Sequence, residues 1–337
     1  MKKWTLLFVL LTSFLTACQT DKTPNTNQII PTTTVAANQF STSTADEITL
    51  LGTFSGHQSR VLDLAFSPSG DLLASSGQDR VIRIWDTNSS EEIRSFPMFI
   101  VDMADIDISP DGKFLASGET IWDLESGEEQ LILERGSQLP AFVAFSPNMT
   151  EVAVARMDQG VEIWDVESGE IKKSLDVGEE QRTKRMEFSP SGEKLAAGVI
   201  DGTVRIWDVE SGEIVQTFHL SGETDIHDMA YSANGKYLAA TGRMLRAVIW
   251  DANSGEILHT FPMRDNGLGI AFSPDTTMVA VSDGGAKTAL VFELPSGNQL
   301  QTLELGDQAM ALTFSPDGRF LAAGTFDGQI LLWAIPK

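Results

Sequence analysis

Four aspartates in two close pairs are the residues best placed to do chemistry in this sequence. Asp105 and Asp107 alternate along one apolar segment, and Asp225 and Asp228 lie near the start of another. Carboxylate oxygens are the ligands that hard divalent cations take in proteins. The pairs could therefore hold a cation, and the alternative is that they are hydrated carboxylates that bind nothing. The four histidines show no metal-ligand spacing, and we assign no metal ligand.

Catalytic motifs are absent from the sequence. It contains no G-x-S-x-G nucleophile turn, no H-E-x-x-H pair, no phosphate-binding P-loop and no G-x-G-x-x-G fingerprint. We therefore expect no catalytic residue, no cofactor and no enzymatic activity. Because a fold can host catalysis on its loops, an enzyme, or a sensor of small molecules or metals, remains the alternative.

The charge balance excludes two classes of ligand. The 337 residues carry 24 basic and 47 acidic side chains, a formal net charge of -23. Such a chain repels the phosphates of nucleic acids and anionic membrane surfaces. Apolar residues make up 42% of the sequence, which is enough for most of the chain to bury a core.

The first 18 residues have the pattern of a targeting segment. Two lysines precede an apolar run over residues 6–15, which is too short to span a bilayer comfortably. The run ends in LTAC, residues 15–18, and Cys18 is the only cysteine of the chain. The segment resembles the signal peptide of bacterial lipoproteins, in which this cysteine is acylated and becomes the mature N-terminus. The alternatives are an ordinary signal peptide cleaved nearby and a signal anchor.

The resemblance to lipoproteins implies a location. A lipid such as palmitate on Cys18 would anchor the chain on the outer side of the cytoplasmic membrane, or to the outer membrane of a bacterium. Residues 1–17 would be removed. Residues 18–46 would form a disordered tether, because a composition rich in Thr and Asn cannot bury enough surface to fold. We expect membrane contact through the lipid alone.

Two landmarks recur through the rest of the chain. An aromatic or apolar residue followed by Ser-Pro, or by Ser-Ala in one copy, occurs seven times at intervals of 37 to 43 residues. A Trp, or a Phe in one copy, occurs with it at the end of a predicted strand. The octapeptide IWDVESGE itself is found at 163–170 and at 206–213. A period near 42 residues with four short segments per unit is typical of a β-propeller.

The units resemble WD40 repeats. Trp-Asp pairs stand at 85–86, 122–123, 164–165, 207–208 and 250–251, whereas the last two units have Phe-Glu at 292–293 and Trp-Ala at 333–334. The resemblance implies that His57, Ser75, Asp79 and Trp85 of the first unit form a buried hydrogen-bonded network. It is strong for the fold and weak for any particular function.

We therefore predict an all-β fold over residues 47–337, a seven-bladed β-propeller of four-stranded antiparallel blades. The chain ends four residues after Trp333, so the seventh unit lacks its outer strand. Residues 47–54 resemble the outer strands of other units. We expect this N-terminal strand to complete the last blade, because an open ring would leave strand edges exposed.

The resemblance to WD40 repeats also divides the turns between two faces. The second face carries the Ser-Pro and WDxxSGE turns and is acidic, which indicates either a solubilising surface or a site for a cation or a basic partner. The first face carries the loops between blades and the inner hairpin turns. Its arginines and apolar residues are types enriched at the cores of interfaces. We predict a partner-binding face there, made of Arg60, Arg80, Phe99, Arg135, Arg182, Arg243, Arg246, Met263 and Arg264. The alternative is that the apolar members pack beneath the loops and the arginines pair locally.

The second unit is short. LASGETIWD (115–123) stands where the first unit has LASSGQDRVIRIWD (73–86), so five residues are missing from the hairpin. The deletion predicts a stunted blade, which is either a functional notch or a tolerated loss.

The most economical function is a non-enzymatic, lipid-anchored scaffold that presents the first face to a protein or peptide. Its closed blades would hold many short loops in fixed positions, so that binding loses little conformational entropy. We expect a monomer. An envelope assembly factor is an alternative that rests on analogy alone.

Overall fold

The computed structural model describes residues 47–98, 105–133, 141–156, 160–178, 182–220, 225–243 and 245–336. These segments form strands and turns, and no helix among them is long and apolar enough to cross a membrane. Residues 1–46, which include the predicted signal peptide, Cys18 and tether, lie outside the described residues.

The described residues form 28 strands. The first fourteen are β1 (Thr49–Ser55), β2 (Val61–Phe66), β3 (Leu72–Gly77), β4 (Val81–Asp86), β5 (Glu92–Pro97), β6 (Ile106–Ile108), β7 (Phe114–Ser117), β8 (Thr120–Asp123), β9 (Glu129–Ile132), β10 (Ala141–Phe145), β11 (Glu151–Arg156), β12 (Gly160–Asp165), β13 (Ile171–Leu175) and β14 (Thr183–Phe188). The others are β15 (Lys194–Val199), β16 (Thr203–Asp208), β17 (Ile214–His219), β18 (Ile226–Tyr231), β19 (Tyr237–Gly242), β20 (Arg246–Asp251), β21 (Ile257–Pro262), β22 (Ile270–Phe272), β23 (Met278–Asp283), β24 (Thr288–Glu293), β25 (Gln299–Glu304), β26 (Ala309–Phe314), β27 (Phe320–Thr325) and β28 (Gln329–Ala334).

The strands form seven four-stranded antiparallel sheets, which are the blades. Blades one to six each use four consecutive strands, β2–β5 through β22–β25, ordered from the central channel outwards. Blade seven combines β26, β27 and β28 with β1. β1 pairs antiparallel with β28 from Thr49↔Ala334 to Ser55↔Gln329. The predicted fold class and the closure of the ring by an N-terminal strand are therefore confirmed.

The core lies between the blades. Buried apolar residues form seven clusters, and each cluster joins two neighbouring blades. At the seam between blades seven and one, Phe54 of β1 stacks on Trp85 with ring centroids 5.5 Å apart. Because apolar residues pack at this seam as they do between the other blades, β1 contributes to the hydrophobic core as well as to the sheet of blade seven.

The antiparallel order of the strands assigns every turn to a face. The turns after the first and third strands of each blade lie on the second face. The turn after the second strand and the loop to the next blade lie on the first face. β1 runs from the second face to the first, like the outer strand of every other blade.

Blade two is stunted as predicted, because β7 and β8 have four residues each and meet at a tight turn. Arg156 of blade three packs against this turn. Its Nε donates to Glu119 at 2.9 Å, and its guanidinium also contacts Glu162 and the carbonyl of Leu133. Arg156 is 2% exposed, so a neighbouring side chain occupies space that a longer hairpin would take.

Candidate functional site

The innermost strands line a central channel at three levels. The lower level, near the second face, consists of Ala65, Asp107, Ala144, Glu187, Ala230, Ala271 and Thr313. The middle level includes Asp63, Asp105, Phe142, Arg185, Asp228 and Ala311. The upper level, near the first face, includes Leu62, Lys184, His227, Leu268 and Met310. Each level takes the same strand position from successive blades, so repeat register alone brings these side chains together.

Arg185 crosses the channel at the middle level. Its Nη2 lies 3.1 Å from Oδ1 of Asp63 and its Nε lies 2.9 Å from Oδ1 of Asp228, while Nη1 contacts Asp105. Burial opposes the charge of Arg185, but the attraction of Asp63 and Asp228 outweighs burial and raises its pKa. One guanidinium from blade four thus joins carboxylates from blades one, two and five.

The same carboxylates also join neighbouring blades. Asp63 accepts the backbone N–H of Ile106 at 2.9 Å, and Asp228 accepts that of Ile270 at 2.8 Å. Asp105 is buried and also accepts a backbone N–H of blade three. The hypothesis that the aspartate pairs hold a metal cation therefore changes for Asp105 and Asp228, because the guanidinium of Arg185 supplies the positive charge beside them. Within the described segments no group of three or more His, Cys, Asp or Glu could hold a metal ion.

Two carboxylates of the lower level have strongly shifted acidities. Asp107 accepts the N–H of Phe145, and Glu187 accepts the N–H of Tyr231, each at 2.7 Å. Burial raises the pKa of Asp107 to about 7 and that of Glu187 to about 8. Burial likewise raises the pKa of Asp228 to about 6. The lower channel therefore titrates around neutral pH.

Arg185, Asp105 and Asp228 line two cavities, one on either side. The second-face cavity has a volume of about 720 Å³. The first-face cavity, which we call the first-face chamber, has a volume of about 280 Å³. The arginine cluster therefore lies between the two cavities and forms the floor of the chamber.

One wall of the first-face chamber is charged. Asp225 lies 2.5 Å from Nζ of Lys184, 3.5 Å from Nε of Arg243 and 3.6 Å from Nε2 of His227. Burial opposes ionisation of Asp225, but hydrogen bonds from His227 and Lys184 lower its pKa. The opposite wall is apolar and comes from other blades, with Leu62, Phe142, Leu268, Met310 and Ala311.

The described arginines of the predicted partner-binding face all lie on first-face loops, on first-face turns or at the first residue after such a turn. Arg60, Arg80, Arg182, Arg243 and Arg264 are exposed and Arg246 is half-buried. Arg60 lies over the ring of Phe326, 4.3 Å from its centroid. Arg243 is the one member of this set among the described residues that also lines the chamber. Phe99 and Arg135 lie outside the described residues.

Met263 is a correction to the predicted face. It is 7% exposed and packs in the core between blades five and six. Met98, another methionine that the sequence places in a first-face loop, is also 7% exposed. Both methionines follow the last strand of a blade by one residue and point back between blades, so neither offers a surface to a partner.

The structure brings His57, Ser75, Asp79 and Trp85 together. Nδ1 of His57 lies 2.9 Å from Asp79, and its Nε2 lies 2.8 Å from Oγ of Ser75. Trp85 Nε1–H donates to the same Oγ at 2.8 Å. Burial lowers the pKa of His57, so the neutral ring donates to Asp79 and accepts from Ser75. A Cβ at Gly77 would clash with the imidazole, which explains the glycine there.

The Asp of each Trp-Asp pair has a local structural role that sequence reasoning missed. Its carboxylate accepts a backbone N–H three residues later, from Ser89, Ser126, Ser168, Ser211 and Ser254 at 2.6–2.9 Å. These bonds lower the pKa of Asp86, Asp123, Asp165, Asp208 and Asp251. Part of the negative charge of the second face therefore follows from turn geometry, and the signal was the fixed Asp-x-x-Ser spacing.

Comparison with known proteins agrees with the geometry. Residues 48–86 and 297–334 match the family described as WD domain, G-beta repeat, and residues 142–227 match the anaphase-promoting complex subunit 4 WD40 domain. Together with the seven blades, these matches support a WD40 β-propeller.

Curated relatives match over single stretches of repeats. The chain is similar to the periodic tryptophan protein 2 homolog of Schizosaccharomyces pombe, 32% identical over 25% of this chain and 10% of the relative. It is similar to human WD repeat-containing protein 36, 40% identical over 25% of this chain and 9% of the relative. It is also similar to a probable cytosolic iron-sulfur protein assembly protein of Culex quinquefasciatus, 36% identical over 24% of this chain and 27% of the relative. The matches span about a tenth to a quarter of these proteins.

Proposed function

We propose that this chain is a non-enzymatic scaffold that binds a protein or peptide on the first face of its propeller. The first-face chamber carries this proposal. It lies at the centre of the face, one wall is apolar, the other is charged, and exposed arginines lie on loops and turns of the same face. Buried apolar centres with polar rims are typical of protein interfaces. The name of the Culex relative describes an assembly protein, which supports the same class of role.

We further propose that acylated Cys18 holds the scaffold at the cell envelope, on the outer side of a bacterial membrane, and that it is a monomer there. The support is the sequence pattern of residues 1–18. Metabolic labelling with palmitate tests the anchor. We expect label in the wild-type chain and none in Cys18→Ser, and a wild-type chain without label would contradict the anchor.

Charge reversal tests the binding face. The variant Arg60→Glu, Arg182→Glu, Arg264→Glu should lose partners that the wild-type chain captures by crosslinking in intact envelopes. The matched control is Lys113→Glu, Lys172→Glu, Lys236→Glu, which changes the net charge equally on the second face. Capture that survives the first-face reversal, or that fails in the control alone, would refute the proposed face.

A small-molecule sensor is the second candidate, and a chamber lined by both charged and apolar side chains favours it. A volume of about 280 Å³ is close to the lower limit of ligand pockets. Thermal-shift screening of metabolites against the full chain tests this function. A ligand whose stabilisation is lost in Leu268→Trp, which fills the chamber, would establish it.

A further inference from the structure

The polar groups of the first-face chamber differ in what they still offer to a ligand. The carboxylates of the floor are engaged, because Asp63, Asp105 and Asp228 each contact Arg185 and each accept a backbone N–H. Their lone pairs are therefore largely used.

The donors of the charged wall are less fully engaged. Lys184 has three N–H donors, and among the described residues Asp225 is the one carboxylate paired with it. The side chain of Arg243 is 66% exposed and approaches Asp225 through Nε. Two fixed positive charges thus face one carboxylate, and the wall has donors to spare.

Asp225 itself is held in a costly conformation. Its φ is 100°, a region that non-glycine residues adopt at a cost of roughly 1–3 kcal/mol. This backbone places its carboxylate between Lys184, His227 and Arg243, where a carboxylate from another molecule would find the same three partners.

We propose that the first-face chamber recognises a Glu or Asp side chain of a protein partner with an apolar residue beside it. The carboxylate binds Lys184 and Arg243 next to Asp225, and the apolar side chain packs on Leu62, Leu268 and Met310. The inference rests on the proposed function and names the chemistry of its partner. The negative floor keeps the carboxylate at the wall, and a chamber volume of about 280 Å³ admits one or two side chains.

Fluorescence anisotropy with capped hexapeptides and the full chain tests the inference. The probe is Gly-Ser-Glu-Leu-Ser-Gly with a fluorophore on its N-terminus and an amidated C-terminus, and the comparison peptides carry the same fluorophore and have Gln, Lys or phosphoserine in place of Glu. A fifth peptide, Gly-Ser-Gln-Leu with a free C-terminus, presents a terminal carboxylate instead. We expect the Glu peptide to bind at least tenfold more tightly than each of the others.

Variants locate the binding. Lys184→Met and Arg243→Met should each reduce the preference for Glu over Gln at least fivefold, whereas Lys184→Arg and the exposed second-face control Lys113→Met should keep it. Because Arg243 is on an exposed turn, its variant answers the question even if Lys184→Met is unstable. Equal binding of the Gln peptide, tighter binding of any other comparison peptide, or no binding at 1 mM would overturn the inference.

The two proposals fail in different ways. If Arg60, Arg182 and Arg264 are required for partner capture but Lys184→Met and Arg243→Met leave capture unchanged, only the carboxylate inference is refuted. If capture survives reversal of those three arginines, the proposed binding face itself is refuted.

Discussion

Nη2 of Arg185 lies 3.1 Å from Oδ1 of Asp63, although 122 residues separate them in the sequence. The pair connects blades four and one across the channel. With Asp105 and Asp228 it forms a cluster in which each aspartate also holds a neighbouring blade. The channel is therefore cross-braced by Arg185 and these three aspartates.

Removal of the central guanidinium should destabilise the protein strongly. Arg185→Met leaves three carboxylates without their cation, and we expect a loss of about 3 kcal/mol in the free energy of unfolding. Urea denaturation measures it. Adding Asp63→Asn and Asp105→Asn should restore part of the loss, while the exposed control Arg264→Met should change stability by less than about 0.5 kcal/mol. Equal stability of Arg185→Met and wild type would contradict the brace.

The lower channel should make stability depend on pH. Since burial raises the pKa of Asp107 to about 7 and of Glu187 to about 8, the folded chain keeps protons that the unfolded chain has released. Between about pH 4 and pH 8 the folded state binds more protons, so stability falls as pH rises through this window.

Amide variants isolate this effect. Asp107→Asn and Glu187→Gln keep an acceptor for the backbone N–H but cannot ionise. Compared with wild type, each should gain roughly 1–3 kcal/mol at pH 9 relative to its difference at pH 5. Thermal denaturation over this range measures the gain. Parallel curves for variants and wild type would show that the carboxyls ionise without cost.

The closing strand should contribute to global stability through its buried aromatic ring. Phe54 is 1% exposed and stacks on Trp85, so Phe54→Ala should cost about 3–5 kcal/mol. Leu51 of the same strand is 56% exposed, and Leu51→Ala should cost less than about 0.5 kcal/mol. Chemical denaturation compares them, and similar losses would mean that β1 is not part of the cooperative core.

The hydrogen-bonded network of blade one should also be measurable. Ser75 is fully buried and joins His57 to Trp85. Ser75→Ala leaves the indole N–H without its acceptor, at a cost of about 1–3 kcal/mol. The exposed Ser95→Ala in the same blade is the control. A shift in near-ultraviolet circular dichroism from the tryptophan should accompany the loss, and a Ser75→Ala protein as stable as the control would contradict it.

The ring and its closure could be predicted because each repeat carries its own turn and strand signals. Ser-Pro turns and Trp-Asp ends recur at a nearly constant period, and the missing outer strand had an obvious substitute at residues 47–54. These are local features, and burial of apolar faces between similar units leaves few other arrangements.

The charged cluster around Arg185 could not be predicted from such repeated signals. Its members come from four repeats, and the residue type at this channel position differs between the repeats. All four precede the last residue of the innermost strand of their blade by three positions, and they are Asp63, Asp105, Arg185 and Asp228. The sequence aligned by repeats contains this information. Individual residues do not, since a lone Arg185 in a strand gives no indication of which blade it reaches.

The buried methionines illustrate the same limit. In five blades, the residue two positions after the buried residue of the outer strand is itself buried, with 4–7% of its surface exposed. These residues are Met98, Val177, Leu220, Met263 and Leu305. The alternation of the strand thus continues one step into the loop. Comparison of the repeats would have predicted burial for Met263, whereas its place in a loop suggested a surface.

The direction of β1 has a mechanical consequence. The strand that closes the ring is also the first through which the preceding residues can transmit force, and it starts at the second face. A pull away from that face has a component along β1, so the ladder to β28 is loaded in shear and several of its bonds share the strain. A pull on the first residues of β1 therefore meets the joint in the orientation in which it resists most.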